Sequence, residues 1–185
     1  MKRNFFILSI PVIFITLFSS GCAHNVKQYW PDGTLKSTML IKSGQNVGPA
    51  VWYFENGKKM LECNYQDNKL EGLFRRYYDN GTPKEEFNYK SDKRHGPFKT
   101  WDRLGRVKET GNYLNGMMDG AYKKFYKLGT IEEEGEYSAG QFNGKWFYYD
   151  PYGHMIGIKI FDHGKLLSHE GIDPGTVAKK EEEEE

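Results

Sequence analysis

The chain has 185 residues, with 26 Lys and Arg against 25 Asp and Glu and a formal net charge of +1. Charges so nearly balanced exclude attraction of nucleic acid or of a strongly anionic membrane by net charge alone. Only two cysteines are present, Cys22 and Cys63, which excludes a disulfide framework and a zinc site built on thiolates.

The chain opens with Lys2 and Arg3 ahead of an apolar run from Phe5 to Phe18. That run is shorter than the roughly 20 residues that cross a bilayer and has the flanks of an export signal, so residues 1–21 are expected to be a signal peptide. The closing Ser19-Ser20-Gly21-Cys22 resembles the lipobox of bacterial lipoproteins, in which the cysteine sulfur receives diacylglycerol and the cysteine becomes the new N-terminus. This resemblance implies Cys22 as the lipid-attachment residue and 22–28 as a lipidated tether leading into the first strand. Ala23 after the cysteine implies, by the same resemblance, delivery to the outer membrane, facing the periplasm. The alternative is ordinary secretion with cleavage after Ala23, since Gly21 and Ala23 form a small-x-small site. Cys63 lies between Leu61 and Tyr65 on one face of a strand and reads as a small buried hydrophobe.

Residues 25–168 then repeat at an interval of 24. Gly33, Gly57, Gly81, Gly105, Gly129 and Gly153 form one column, and Gly48, Gly72, Gly96, Gly120 and Gly144 a second. Rings keep the same interval: Tyr53, Tyr77, Trp101, Phe125 and Tyr149 before the first glycine, and Tyr65, Tyr89, Tyr113, Tyr137 and Phe161 after it. Phe74, Phe98, Tyr122 and Trp146 form a further set. Such a period marks stacked units, each too small to bury its own apolar face. Each unit reads as a β-hairpin, with corners such as Asp79-Asn80-Gly81 and Asp150-Pro151-Tyr152-Gly153 supplying the turn chemistry. The expected fold is all-β: an elongated antiparallel hairpin-repeat array in one sheet, with about six units and twelve strands spanning nearly 60 Å at roughly 4.8 Å per strand.

Parity sorts the side chains. Val107, Glu109, Gly111 and Tyr113 share one face with Pro83, Glu85, Phe87 and Tyr89, while Lys84, Glu86 and Asn88 point the other way. The aromatic columns are therefore expected to be a core ladder, and Gly111 and Gly135 to leave room for a ring to lie across the backbone. Glu85, Glu109 and Glu133 recur at one position and are read as structural, each pairing with a lysine on the next strand. The basic stretches Arg75-Arg76 and Lys90 to His95 read as solvated surface, and no nucleic acid is expected.

In the last unit Ile156, Ile158 and Ile160 occupy positions that are polar earlier. Either a C-terminal cap at 169–178 covers them, or another protein does. The tail 179–185 is acidic, of low complexity and expected to be disordered.

The pattern G-x-F-x-x-Y-x-x-x-G followed by E-x-x-x-Y, here Gly96, Phe98, Trp101, Gly105, Glu109 and Tyr113, resembles the MORN-variant repeat. MORN repeats imply interaction or membrane-association modules, and the bacterial YwqK-like antitoxin type implies a protein-neutralising role.

No catalytic constellation accompanies the array. His24, His95, His154, His163 and His169 stand without a Ser-centred elbow or an H-E-x-x-H motif, so no catalytic, metal or cofactor residue is expected. The expected function is a non-enzymatic cell-envelope lipoprotein acting as a protein–protein interaction scaffold. Its partner would be another envelope protein, and the membrane would be reached through the lipid anchor. A glycan, peptidoglycan or phospholipid-headgroup binding module is the alternative, with the antitoxin role beside it.

Overall fold

The computed structural model describes residues 21–171. The bulk of the expected signal peptide, the expected cap from residue 172 onward and the acidic tail lie outside the described residues.

The described chain is all strand and turn. In order the strands are β1 (His24–Tyr29), β2 (Leu35–Lys42), β3 (Gln45–Tyr53), β4 (Lys59–Gln66), β5 (Lys69–Tyr77), β6 (Pro83–Lys90), β7 (Lys93–Arg94) and β8 (Gly96–Trp101). They continue as β9 (Val107–Leu114), β10 (Met117–Met118), β11 (Gly120–Phe125), β12 (Ile131–Ser138), β13 (Gln141–Tyr149), β14 (Met155–Asp162) and β15 (Lys165–Gly171). Thirteen lie side by side in one antiparallel sheet, and the two-residue β7 and β10 pair with β6 and β9. The array starts at His24, inside the expected tether, and runs on through Gly171, three residues past its expected end.

Two kinds of bend alternate. At one edge six corners begin at Trp30, Phe54, Tyr78, Asp102, Tyr126 and Asp150, and each first residue accepts from the N–H of the glycine three residues on, as from Gly81 to Tyr78 at 2.9 Å. Those glycines have φ from 77° to 95°, the left-handed region where a Cβ is costly. At the opposite edge two-residue turns have both residues left-handed, as type I′ hairpins require. Asp67-Asn68 and Ser91-Asp92 form two of these without glycine, because short polar side chains tolerate that region. The second glycine column makes no turn. Gly48, Gly72, Gly96, Gly120 and Gly144 sit within or at the start of strands, where the pairing register shifts at β-bulges.

The core lies along one face. Phe87, Phe98, Tyr122 and Trp146 are buried, with Phe74, Tyr89, Tyr113, Tyr137, Phe142 and Phe161 among the rings packed against them. Gly111 and Gly135 do the work their parity suggested. A Cβ on Gly111 would stand 2.5 Å from the Phe98 ring, and one on Gly135 would stand 2.4 Å from the Trp146 indole. The indole N–H donates to the Glu136 carbonyl at 3.1 Å, which fixes the ring across that backbone. Cys63 is buried as expected, and burial pushes its thiol up to about 11.

Three expectations need correction. The ring column of Tyr77 and Tyr149 is not part of the ladder: both hydroxyls turn to the other face, to Glu62 and Glu134, among Arg75, Glu86 and Lys123. Arg94, from the stretch read as solvated, folds inward. Its guanidinium stacks 3.8 Å from the Phe87 ring centroid and donates to the Tyr113 hydroxyl at 3.2 Å. The recurring glutamates do not each find a lysine ahead. Glu85 pairs back to Arg76 at 3.3 Å, Glu109 accepts from Thr100 at 3.5 Å, and Lys124, opposite Glu133, pairs instead with Glu132 at 2.6 Å.

Ile156 is 40 % exposed, while Ile158 and Ile160 are half-buried. Strand β15 pairs alongside them through Glu170 and Ser168 and does not cover their face.

Candidate functional site

The chain's own bonds are spent on stacking unit against unit, and the corner edge shows how. Trp30 donates its indole N–H to the Tyr53 carbonyl of the next corner at 3.2 Å. Asn56 and Lys58 reach the Asp79 and Asn80 carbonyls, each at 2.8 Å. Tyr78 donates to Trp101 at 3.0 Å, and Asn80 to Arg103 at 2.8 Å. Tyr126 donates to Tyr149 at 2.9 Å, and Thr130 to Pro151 at 2.8 Å.

One junction lacks this ladder. Between the corner Asp102–Gly105 and the corner Tyr126–Gly129 no such bond forms among the described residues, because the three donor positions hold Asp102, Leu104 and Arg106. Asp102 is satisfied within its own corner, where it accepts from the Leu104 N–H at 2.8 Å and from the Arg106 guanidinium at 2.7 Å. Burial pushes its carboxyl up, but the bonds from Arg106 and the backbone outweigh that and hold it below the usual carboxylate range. At the opposite edge the turn-to-turn bonds continue unbroken, as from the Gly140 N–H to the Met118 carbonyl at 2.7 Å.

A cavity of about 450 Å³ occupies the gap. Val107, Phe125, Tyr126 and Leu128 give it apolar walls, and Lys108 and Lys127 line it without an ion-pair partner among the described residues. Above it the corner tips form a ridge. Leu104, Leu128 and Tyr152 recur one unit apart and are 75 %, 78 % and 81 % exposed. The same positions in the first three corners hold Asp32, Asn56 and Asn80.

Glu109 and Lys124 line the cavity, and with Glu133 they lie opposite one another on three consecutive strands of the sheet. Burial raises the Glu133 carboxyl above its ordinary value, opposed by Lys124 and Lys159 and reinforced by Glu132 and Glu109. A carboxyl raised in the fold contributes its full stability below its unfolded value of roughly 4.3 and loses it as pH rises through the folded value. The variant Glu133→Gln is therefore expected to raise the urea midpoint at pH 7, with the gain shrinking towards pH 4. A gain of equal size at both pH values would contradict this assignment.

Cys22 is a free, exposed thiol two residues before β1, at the N-terminal edge of the sheet. The histidines do not converge. His154 meets Asp150 at 3.0 Å and His163 meets Asp162 at 2.6 Å, each within its own bend, while His24 and His169 lie on β1 and β15.

Three stretches of the chain, 46–67, 70–91 and 118–139, match the MORN repeat variant. Each spans 22 of the 24 residues of one repeat, from one far turn to the next, so the matched segments follow the period of this array. The copies at 94–115 and 142–163, outside those matches, carry Asp102 and Asp150 where the others carry a ring. No curated protein matches the chain at a significant level.

Proposed function

We propose that this MORN-type array is a non-catalytic scaffold that docks another protein of the cell envelope along its corner edge. A lipid on Cys22 would hold it at the bacterial outer membrane, facing the periplasm. The observation that carries the reading is the ridge of Leu104, Leu128 and Tyr152: three large apolar tips left in water beside an unfilled cavity, on a chain whose other rings are largely packed. Site-specific photo-crosslinking from position 128 in intact cells tests it. One discrete adduct is expected, lost when Leu104 and Tyr152 are changed to Asn. Absence of any adduct other than lipid would overturn the protein-docking reading. The anchor has its own test, since globomycin treatment is expected to change the mass of the mature chain and Cys22→Ser to release it from the membrane fraction.

A second reading, phospholipid-headgroup binding, is favoured by Lys127, which stands beside the Leu128 tip without an ion-pair partner among the described residues. It predicts co-sedimentation of the unlipidated chain with phosphatidylglycerol vesicles and not with phosphatidylcholine ones. The glycan alternative is weakened because Phe98, Tyr122 and Trp146 are buried against one another rather than set out as a stacking row.

A further inference from the structure

The cavity between the fourth and fifth corners is the space that an aromatic side chain of this chain fills at other junctions. The first corner position holds Trp30, Phe54, Tyr78 and Tyr126 in four units, and Asp102 in the unit beside the cavity. Where a ring with a polar hydrogen is present, that hydrogen goes to the carbonyl of the next unit, as from Tyr78 to Trp101 at 3.0 Å. Cations close over two of these rings: Lys36 lies 4.5 Å from the Trp30 centroid, and Lys84 and Arg103 lie 5.7 Å and 5.2 Å from that of Tyr78. One repeat further on, the counterparts of Trp101, Lys84 and Arg103 are Phe125, Lys108 and Lys127. All three line the cavity, as does Asp102 in place of the ring. The slot thus keeps the counterparts of the two cations over Tyr78 and the strand that would accept the hydrogen bond, and it has Asp102 where Tyr78 has its ring; Arg106 and Lys124 also line it, paired with Asp102 and Glu132.

We propose that this slot receives a tyrosine or tryptophan side chain presented by the partner protein. The apolar walls remove the ring from water, its O–H or N–H donates to the Phe125 carbonyl, and Lys108 and Lys127 lie over its faces as Lys84 and Arg103 lie over Tyr78. Asp102, turned back to Arg106, keeps the entrance clear. The inference rests on the scaffold reading and names the chemistry of the partner's anchor.

The test follows the lysine signals of isotopically labelled full chain by NMR, with N-acetyltyrosinamide and N-acetyltryptophanamide as probes and N-acetylleucinamide as control. Ring-current shifts at Lys108 and Lys127, larger than at any lysine outside the cavity, are expected with the two aromatic probes, saturating in the millimolar range. In Asp102→Tyr the slot is filled from within, so those signals are expected to be shifted already and to ignore the probes. Should that variant fail to fold, Lys108→Gln combined with Lys127→Gln is expected to weaken probe binding about fivefold. A response to the leucine probe as large as to the aromatic ones would overturn the proposal. So would a response only to dihexanoylphosphatidylglycerol, which assigns the lysines to a lipid headgroup, or shifts that grow with protein concentration without probe, which assign the slot to a second copy. Loss of probe binding with the crosslinked adduct intact sinks the slot and leaves the scaffold standing, and the converse result separates them the other way.

Discussion

Valine at Gly135 is expected to lower the free energy of unfolding by about 3 kcal/mol, the upper part of the range for overfilling a packed core. The position has extended backbone, so the cost is not one of conformation. It comes from the indole of Trp146, three atoms of which lie within 2.4–2.7 Å of where a Cβ would be. The ring cannot step aside easily, because it is fully buried, edge-on to Phe142 at 4.4 Å between centroids, and tied by its N–H to the Glu136 carbonyl. The decisive measurement is a double-mutant cycle in urea. In a Trp146→Leu background the same valine is expected to cost less than half as much, since a smaller, flexible side chain can yield. Equal costs in both backgrounds would show that the penalty arises elsewhere in the strand.

Most of the scaffold was legible because it rests on rules that act within one repeat. The 24-residue interval, the corner glycines and the strand alternation predict the hairpins, and the small residues on the packing face predict where rings cross the backbone. The errors have separate causes. Tyr77 and Tyr149 stand three residues after Phe74 and Trp146 on the same strands, an odd count that alternation puts on the opposite face, so treating every ring column as one ladder overlooked parity. Arg94 was misread for a different reason, since its local sequence, Lys93-Arg94-His95, is that of an exposed turn. The signal lay in its column, where four of the five other units hold Leu70, Met118, Phe142 and Leu166 and the first holds Asn46. The cavity was the least legible feature. Asp102 and Asp150 interrupt a column of rings, but the meaning of Asp102 depends on knowing that Trp30, Tyr78 and Tyr126 each reach into the next unit.

Trp146→Ala is expected to cost about 4 kcal/mol, as for other large buried aromatic side chains cut back to alanine. Its spatial reach is more informative than its size. In an array of stacked units stability is close to a sum of unit terms and nearest-neighbour contacts, so damage stays local unless the interfaces are strong. Trp146 contacts Tyr122, Tyr137 and Phe142, all in the last two units or at their border. The next junction towards the N-terminus is the one where no corner bond joins Asp102–Gly105 to Tyr126–Gly129, so the chain is expected to part there. Native-state hydrogen exchange of the variant is expected to show protection lost across β11 to β14, with amides of β3 to β6 close to wild type. A uniform loss from β3 to β14 would mean that the aromatic ladder running past Gly111 couples the halves more strongly than the missing corner bonds uncouple them. The cavity would then be a gap in a rigid body rather than a seam between two.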